Sequence, residues 1–547
     1  MKLRTSFFNP TVLKKDITRF TPVWGLYSVL MLLILMVFSD NGSGWAANDF
    51  YDFLGSASLI QLAYGGICAA MLFGDLFNPR MCNALHAMSL RREGWFLTHL
   101  AAGLLFFLVP TGIFCGLMAV LLRGYRYLAL IYFVASFLLF LFFFGVGAFS
   151  AMCAGNRLAM LALYGIINFL SLFVLCLTYV FYEPFLYGIE IDNADFIHYS
   201  PAWALSDARF VDLQYNGPRF EFMGYLADEC AYLGWTSLTG LVFLGLALLI
   251  YRVRDLETAG DFISAKPAAP FFLVIFCLSV GMLLHVLGDA FGGSDLGYIF
   301  LAIGLVVGFF TGKMLLERTA KVFRLKTFLG FGVLLLALGL SIGAMALDVF
   351  GVVRYVPQQD QVKQVKLYTG SGWGNPAELT EPEDIQKVLE FHEERVNGYR
   401  YSRDLRIFLE YTLENGNTVS RYYDINRNEP YAEVFGSYLC RWQTVFGTDD
   451  WENFKSRVAV IHTNDGISLL QEAYGELLEA IKQDCEAGNL IQDYNFHTYS
   501  EVVYWVDIGC DYDPETNGLK KYISLQIFDT CENTIGVLKR YSEKNEG

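Results

Sequence analysis

The chain has 547 residues, 54% hydrophobic and 16% aromatic, with a formal charge of −15 and a mean hydropathy of +0.38. That apolarity exceeds what a soluble protein of this length needs, and the acidity excludes a nucleic-acid-binding protein, which requires a basic face. Nearly all the negative charge falls in residues 355–547, where it reads as serving solubility and repulsion from anionic lipid, with a cation-binding role as the alternative.

In chain order, residues 1–21 are a basic lead-in. Its weakly amphipathic part, 9–20, suits either an elbow along the inner membrane surface or a short solvated segment. The first apolar run starts near Pro22 and is followed by no small-residue cleavage site, so it reads as a retained span rather than a secretory signal. Apolar runs at 22–39, 55–77, 96–122, 127–153, 157–182, 233–252, 270–291, 297–316 and 327–349 predict nine membrane helices, since roughly 20 residues cross the hydrocarbon core.

Between the second and third runs lies a polar insert, Phe77–Phe96, too polar for lipid and too short for a domain. Met81, Leu85, Met88 and Leu90 give it an apolar side, and Arg80, Arg91 and Arg92 give it charge. Such a helix can press its apolar side into a partner's groove while its arginines meet carboxylates at the rim. A loop at 183–232 carries aromatic residues suited to the interfacial zone and room for a short surface helix. A loop at 253–269 and three further spans in 270–350 follow, with a basic segment at Glu317–Lys326.

Residues 355–547 mix both periodicities and predict one α+β domain. Thr380-Glu381-Pro382-Glu383 opens a helix with a capping-box pattern. Leu405–Leu413 and Thr418–Ile425 flank Glu414-Asn415-Gly416-Asn417 as a hairpin. Ile467–Ile481 is a second helix, Tyr522–Phe528 a strand and Thr534–Tyr541 a closing helix.

Seventeen Lys and Arg fall in the segments that share a side with the N-terminus, against four in the others before residue 350. The positive-inside rule then predicts a cytoplasmic N-terminus, and nine spans place 355–547 outside.

Gly308-Phe309-Phe310-Thr311-Gly312-Lys313-Met314 is the nearest approach to a phosphate loop. Its glycine spacing is wrong, Met314 replaces the metal-holding hydroxyl, and it lies in a span. Gly308 and Gly312 read instead as a close helix contact, with Lys313 snorkelling to the inner interface. The seven His form no ligand set, and His392, followed by two Glu, reads as the solvated end of a helix. The eleven Cys match no metal pattern, and Cys510–Cys531 is the one candidate disulfide. His285 and Asp289 share a helix face in the seventh span, either as polar groups on a translocation path or as a helix–helix or interfacial contact. Asp75 sits beside the insert, where Arg80 or a partner protein can pair with it.

The segments Phe73–Gly103, Arg4–Tyr27 and Tyr251–Ser264 resemble permease subunits of ABC-2-type transporters, in a Gram-positive bacterial subgroup with extra spans and a C-terminal exterior domain. The resemblance implies a six-span core at 22–252 with a coupling segment at 78–95. It implies a homo- or heterodimer in the bacterial cell membrane, each copy bound to a separate ATPase that holds the ATP and Mg. The chain itself is then not an enzyme and carries no cofactor. Arg80, Met81, Leu85, His86, Met88, Arg91 and Arg92 become ATPase contacts, with Arg252, Arg254 and Glu257 as a secondary contact. The cargo expected is amphipathic, lipid-like or peptide. The alternative is a sensor or scaffold whose exterior domain binds a ligand and signals to a cytoplasmic partner.

Overall fold

The computed structural model describes residues 8–39, 47–86, 91–121, 126–189, 191, 200–201, 225–265, 267–369, 375–398, 405–464, 471–490, 501–513 and 518–545. The chain divides into two compact units. One comprises Met1–Glu183, Asp192–Leu213 and Arg219–Ile342; the other comprises Pro184–Ile191, Gln214–Pro218 and Gly343–Gly547.

The first unit is helical. Helix α1 (Pro10–Arg19) starts where Asn9 Oδ1 accepts the N–H groups of Thr11 and Val12, at 3.0 and 3.3 Å, and where Pro10 needs no partner for its nitrogen. It turns by 58° at Phe20 into α2 (Thr21–Ser39). Then come α3 (Ala47–Leu72), α4 (Pro79–His86), α5 (Arg92–Leu121), α6 (Arg126–Cys153), α7 (Arg157–Asn168), α8 (Leu170–Leu177), α9 (Tyr225–Val253), α10 (Ala268–Gly292), α11 (Ser294–Glu317) and α12 (Leu325–Ala346).

Among the described residues, six helices are long and apolar enough to cross a membrane: α5, α6, α9, α10, α11 and α12. The bent pairs α1–α2 and α7–α8 raise the number to eight if each is one span, and Ser56–Leu72 of α3 is a shorter apolar helix. The nine expected runs therefore become six to eight candidate spans: 157–182 is broken at Phe169, 22–39 counts only together with the bent helix before it, and 55–77 holds a short apolar helix. The fold is that of a helical membrane protein with a soluble C-terminal region. Helix α9 begins at Tyr225, eight residues before the predicted span and inside the predicted loop; residues 202–224 of that loop lie outside the described residues.

Helix α6 is the hub. It packs against α3, α5 and α9, and it meets α9 backbone to backbone at Gly145 and Gly240. A Cβ on Gly145 would fall 2.4 Å from the Gly240 carbonyl oxygen. Its aromatic run fills the other sides: Phe107, Phe140 and Phe144 stack at 4.6 and 5.5 Å. Helices α10 and α11 form a second close pair, with Gly308 lying where a Cβ would be 2.9 Å from the Cys277 carbonyl oxygen. The small-residue reading of Gly308 and Gly312 holds, since Gly312 faces Leu273 and Phe276 at similar range. Lys313 pairs with Glu317 one turn on, at 3.1 Å.

The second unit holds two modules rather than one continuous domain, each with its own buried core. The first runs β1 (Val362–Thr369), β2 (Ala377–Leu379), α13 (Pro382–Asn397), β3 (Leu405–Leu413), β4 (Thr418–Ile425) and α14 (Pro430–Leu439), with sheet order β2-β1-β3-β4. Two short helices, α15 (Trp442–Phe446) and α16 (Trp451–Arg457), lead to the second. That one runs β5 (Val458–Thr463), α17 (Gln471–Glu486), β6 (Val502–Asp513), β7 (Gly518–Phe528) and α18 (Glu532–Asn545), with order β5-β6-β7. All pairings are antiparallel. Apart from the short β2, the same β-α-β-β-α succession occurs twice with the same strand order, so the region is a tandem repeat in architecture.

The hairpin β3–β4 has the bounds expected from its Asn-Gly turn. Helix α13 exists as expected, but its cap is Glu381, which makes no side-chain cap bond, and Pro382 occupies the first turn; Thr380 stands one residue too early to cap. Helix α17 starts at Gln471, with residues 465–470 outside the described set. Cys510 and Cys531 are not joined by a disulfide. Cys510 pairs with Lys521 across β6–β7, whereas Cys531 follows the far end of β7, so several strand residues of about 3.3 Å each separate the two thiols.

Asp484 ties the second module together: its buried carboxylate accepts from Thr534 N and Oγ1 at 2.8 and 2.6 Å and from Asn533 Nδ2 at 2.8 Å, holding the start of α18 on α17. In the first module two neighbouring stretches clasp β4. The Tyr422 N–H donates to the Gly188 carbonyl at 3.0 Å, and the Tyr187 ring meets Tyr423 edge-on at 5.7 Å. Arg421 Nη2 donates to the carbonyls of Val352 and Tyr355 at 3.0 and 3.4 Å.

His392 is not solvated. Its ring is fully buried between Tyr411 and Tyr423, with centroids at 5.5 and 5.4 Å, because Ile385, Val388, His392 and Arg395 share one helix face. Burial, assisted by the Arg421 charge, pushes its pKa from 6.5 down to about 3. The neutral ring is thus favoured in the folded state. Its stabilisation is complete above about pH 6.5 and is lost as pH falls toward 3, by up to about 5 kcal/mol at about 1.4 kcal/mol per unit. Melting temperature measured from pH 7 to pH 4 should fall more steeply for the native chain than for His392→Phe. Parallel curves would show that His392 does not titrate with unfolding.

Candidate functional site

The polar insert and the segments around it form one connected layer in the first unit. After α3, residues Gly74–Phe77 make a single 3-10 turn, and Asn78 Oδ1 accepts from Arg80 N at 3.0 Å as α4 begins. The bonding partner of Asp75 within the chain is Arg19, not Arg80. The carboxylate takes both ends of the Arg19 guanidinium, at 2.9 and 3.0 Å, fastening α1 to the insert.

On α4, Arg80 and Met81 are exposed and Cys82 is buried. Burial pushes the Cys82 thiol pKa up, against the pull of Arg254 and Arg92. The side chains of Leu85 and His86, and all of Met88, lie outside the described residues. Arg91 is exposed where the chain resumes.

Arg92 turns inward. Its Nη1 donates to the carbonyls of Tyr251, Arg252 and Arg254 at 3.1, 3.0 and 3.0 Å, so a positive charge satisfies the end of α9 and opposes its dipole. Arg252 returns the link by pairing with Glu93 at 3.1 Å. Arg254 is only 7% exposed and donates to the carbonyls of Ala151, Met152 and Leu76, at 2.9, 3.1 and 3.5 Å. Burial holds its guanidinium pKa below the usual value, although an arginine keeps its charge in such a site. One side chain therefore bridges the end of α6 and the entrance to the insert.

The stretch 254–265 is stapled to the end of α6. Gly260 N donates to Gly155 O at 2.7 Å, Ser264 N to Cys153 O at 2.8 Å and Gly155 N to Phe262 O at 3.3 Å. Asn156 caps α7 through Ala159 N at 2.8 Å and donates to Asp261 O at 3.2 Å. Asp261 also faces Arg318 at 3.5 Å. Beside this stretch an apolar groove of about 540 Å³ opens between Phe149, Ile250, Val253 and Phe271.

The segments that the loop charges assign to one side, namely α1, the insert, 153–157, 251–265 and 318, are thus brought together. Of the residues expected at a partner contact, Arg80, Met81, Arg91, Arg252 and Glu257 lie at the surface, whereas Arg92 and Arg254 are spent on internal carbonyls. Sequence reading missed Cys82 as the inward residue of α4 and Arg254 as a brace. Its signal was an arginine immediately beyond a helix end, where carbonyls lack partners.

His285 and Asp289 do not form a pair across a path. The His285 ring packs over Gly297 and lies 5.0 Å from the Tyr298 ring on α11, while Asp289 is exposed. The buried His285 Nδ1 makes no hydrogen bond among the described residues, so the expected helix–helix hydrogen bond is not seen at that atom. Among the described residues no group of three or more His, Cys, Asp or Glu is placed to hold a metal ion. Comparison of the chain with protein-family models, curated proteins and solved structures returns no match.

Proposed function

We propose that the chain is the membrane subunit of an ABC-2-type ATP-binding-cassette transporter, driven by a separate ATPase that docks on the insert. The observation that carries this reading is the division of labour around α4. Arg80, Met81 and Arg91 face outward, while Arg92, Arg254 and the Arg252–Glu93 pair fasten the same insert to α5, α6 and α9. A docking element that transmits motion needs both an outward face and stiff attachment to the helices it moves. In this reading the insert is cytoplasmic, the C-terminal modules are outside, the subunit works as a homo- or heterodimer in the bacterial membrane, and ATP and Mg stay on the partner. The cargo is an exported amphipathic, lipid-like or peptide compound.

The double substitution Arg80→Glu and Arg91→Glu should reduce co-purification of the ATPase at least tenfold and leave the melting temperature unchanged, since both side chains are exposed. Undiminished co-purification would overturn the docking assignment.

A further inference from the structure

A cleft of about 770 Å³ opens in the second unit between the two repeated modules. One wall is α14 of the first module, and the other is the C-terminal end of α17 of the second. The volume falls within the range of small-ligand sites. Ala432, Gly436 and Ser437 keep the α14 wall low, and Cys440 and Cys485 line the cleft as buried thiols whose pKa burial pushes up, so they remain neutral.

The lining carries four charged groups, Arg427, Glu433, Arg441 and Glu486. Glu433 on α14 and Glu486 on α17 have no ion-pair partner among the described residues. The end of α17 adds the negative pole of its dipole at the same wall as Glu486. Of the two lining arginines, Arg441 is committed: it bonds Asp384 at 2.9 Å and lies over the Tyr438 ring at 4.6 Å. Arg427 is not, and its buried Nε lacks a hydrogen-bond partner. A cleft with two open carboxylates and one open guanidinium donor calls for a ligand with cationic groups and one acidic end.

We propose that this cleft binds a short basic peptide, with its carboxylate on Arg427 and its cationic groups at Glu433 and Glu486. Binding here does not depend on the transport reading. A buried donor such as Arg427 Nε strongly favours a ligand that satisfies it, and the charges of the exposed Glu433 and Glu486 set which sign enters.

Isothermal titration of the purified full-length chain with trilysine, amidated trilysine and triglutamate tests the idea. Trilysine should bind and triglutamate should not. Amidated trilysine should bind at least fivefold more weakly. Combining Glu433→Gln with Glu486→Gln should weaken trilysine at least tenfold with an unchanged melting temperature, and Arg427→Gln should abolish the preference for the free carboxylate. Combining Glu381→Gln with Glu383→Gln, on the exposed start of α13, should change nothing. Failure of trilysine to bind, equal binding of the amide, or an equal loss in the α13 control would overturn the proposal, the last by showing general attraction to an acidic surface.

Discussion

Arg254→Met should lower the melting temperature of the detergent-solubilised chain more than any substitution on the outward face of the insert. The native guanidinium supplies donors to three carbonyls, of Ala151, Met152 and Leu76, on two separate stretches of backbone. Methionine fills much of the volume but donates nothing. Each buried acceptor left without a partner costs about 1–3 kcal/mol, and the relief of no longer burying a charge offsets part of this, leaving a net loss of about 3 kcal/mol. Arg254→Lys should recover only part of it, because one ammonium cannot span both stretches in the planar geometry of a guanidinium. Arg252→Ala is the comparison. Its side chain is half exposed and its pair with Glu93 is worth about 1 kcal/mol at most. If Arg254→Met melts like the native chain and loses only ATPase binding, Arg254 is a partner contact and not a brace.

A second large effect is expected where α6 crosses α9. Gly145→Leu should abolish the monodisperse peak of the chain in fluorescence-detected size-exclusion chromatography. The new Cβ alone would sit 2.4 Å from the Gly240 oxygen and 3.0 Å from its carbonyl carbon, and on the opposite helix a Cβ at Gly240 would sit 2.5 Å from the Phe142 Cα. Both neighbours are backbone, so no rotamer change relieves the clash and the helices must separate. Overpacking a core that can adjust costs about 1–3 kcal/mol, and this site lacks that adjustment. Gly112→Leu and Gly116→Leu on α5 provide the control, since a Cβ at either meets nothing within 4 Å. Equal behaviour of all three variants would show that the α6–α9 contact is not close-packed.

What the sequence made readable was whatever local chemistry dictates. The Asn-Gly turn placed β3 and β4 to the residue. Hydropathy found the apolar runs but not the bend at Phe169, because a broken helix and a straight one have the same mean hydropathy. Charge near span ends was read uniformly as outward, yet Arg80 faces out while Arg254 is buried; only the positions of unpaired carbonyls distinguish them, and those belong to the fold. His392 was misplaced because two following Glu outweighed its helical phase with Ile385 and Val388. The repeat went unseen because its two copies share strand order rather than a run of matching residues.

Strand β4 carries a consequence for how the second unit opens. The stretches around Gly188 and Val352–Tyr355 both fasten to Arg421, Tyr422 and Tyr423, in the first module. The second module follows in sequence and has its own core. In foldon terms, α17, β6 and β7 can exchange their amides in a sub-global opening that leaves both tethers seated, whereas opening of β3 and β4 frees both at once. The first module is thereby the one whose opening releases both stretches, and the second is the part free to breathe.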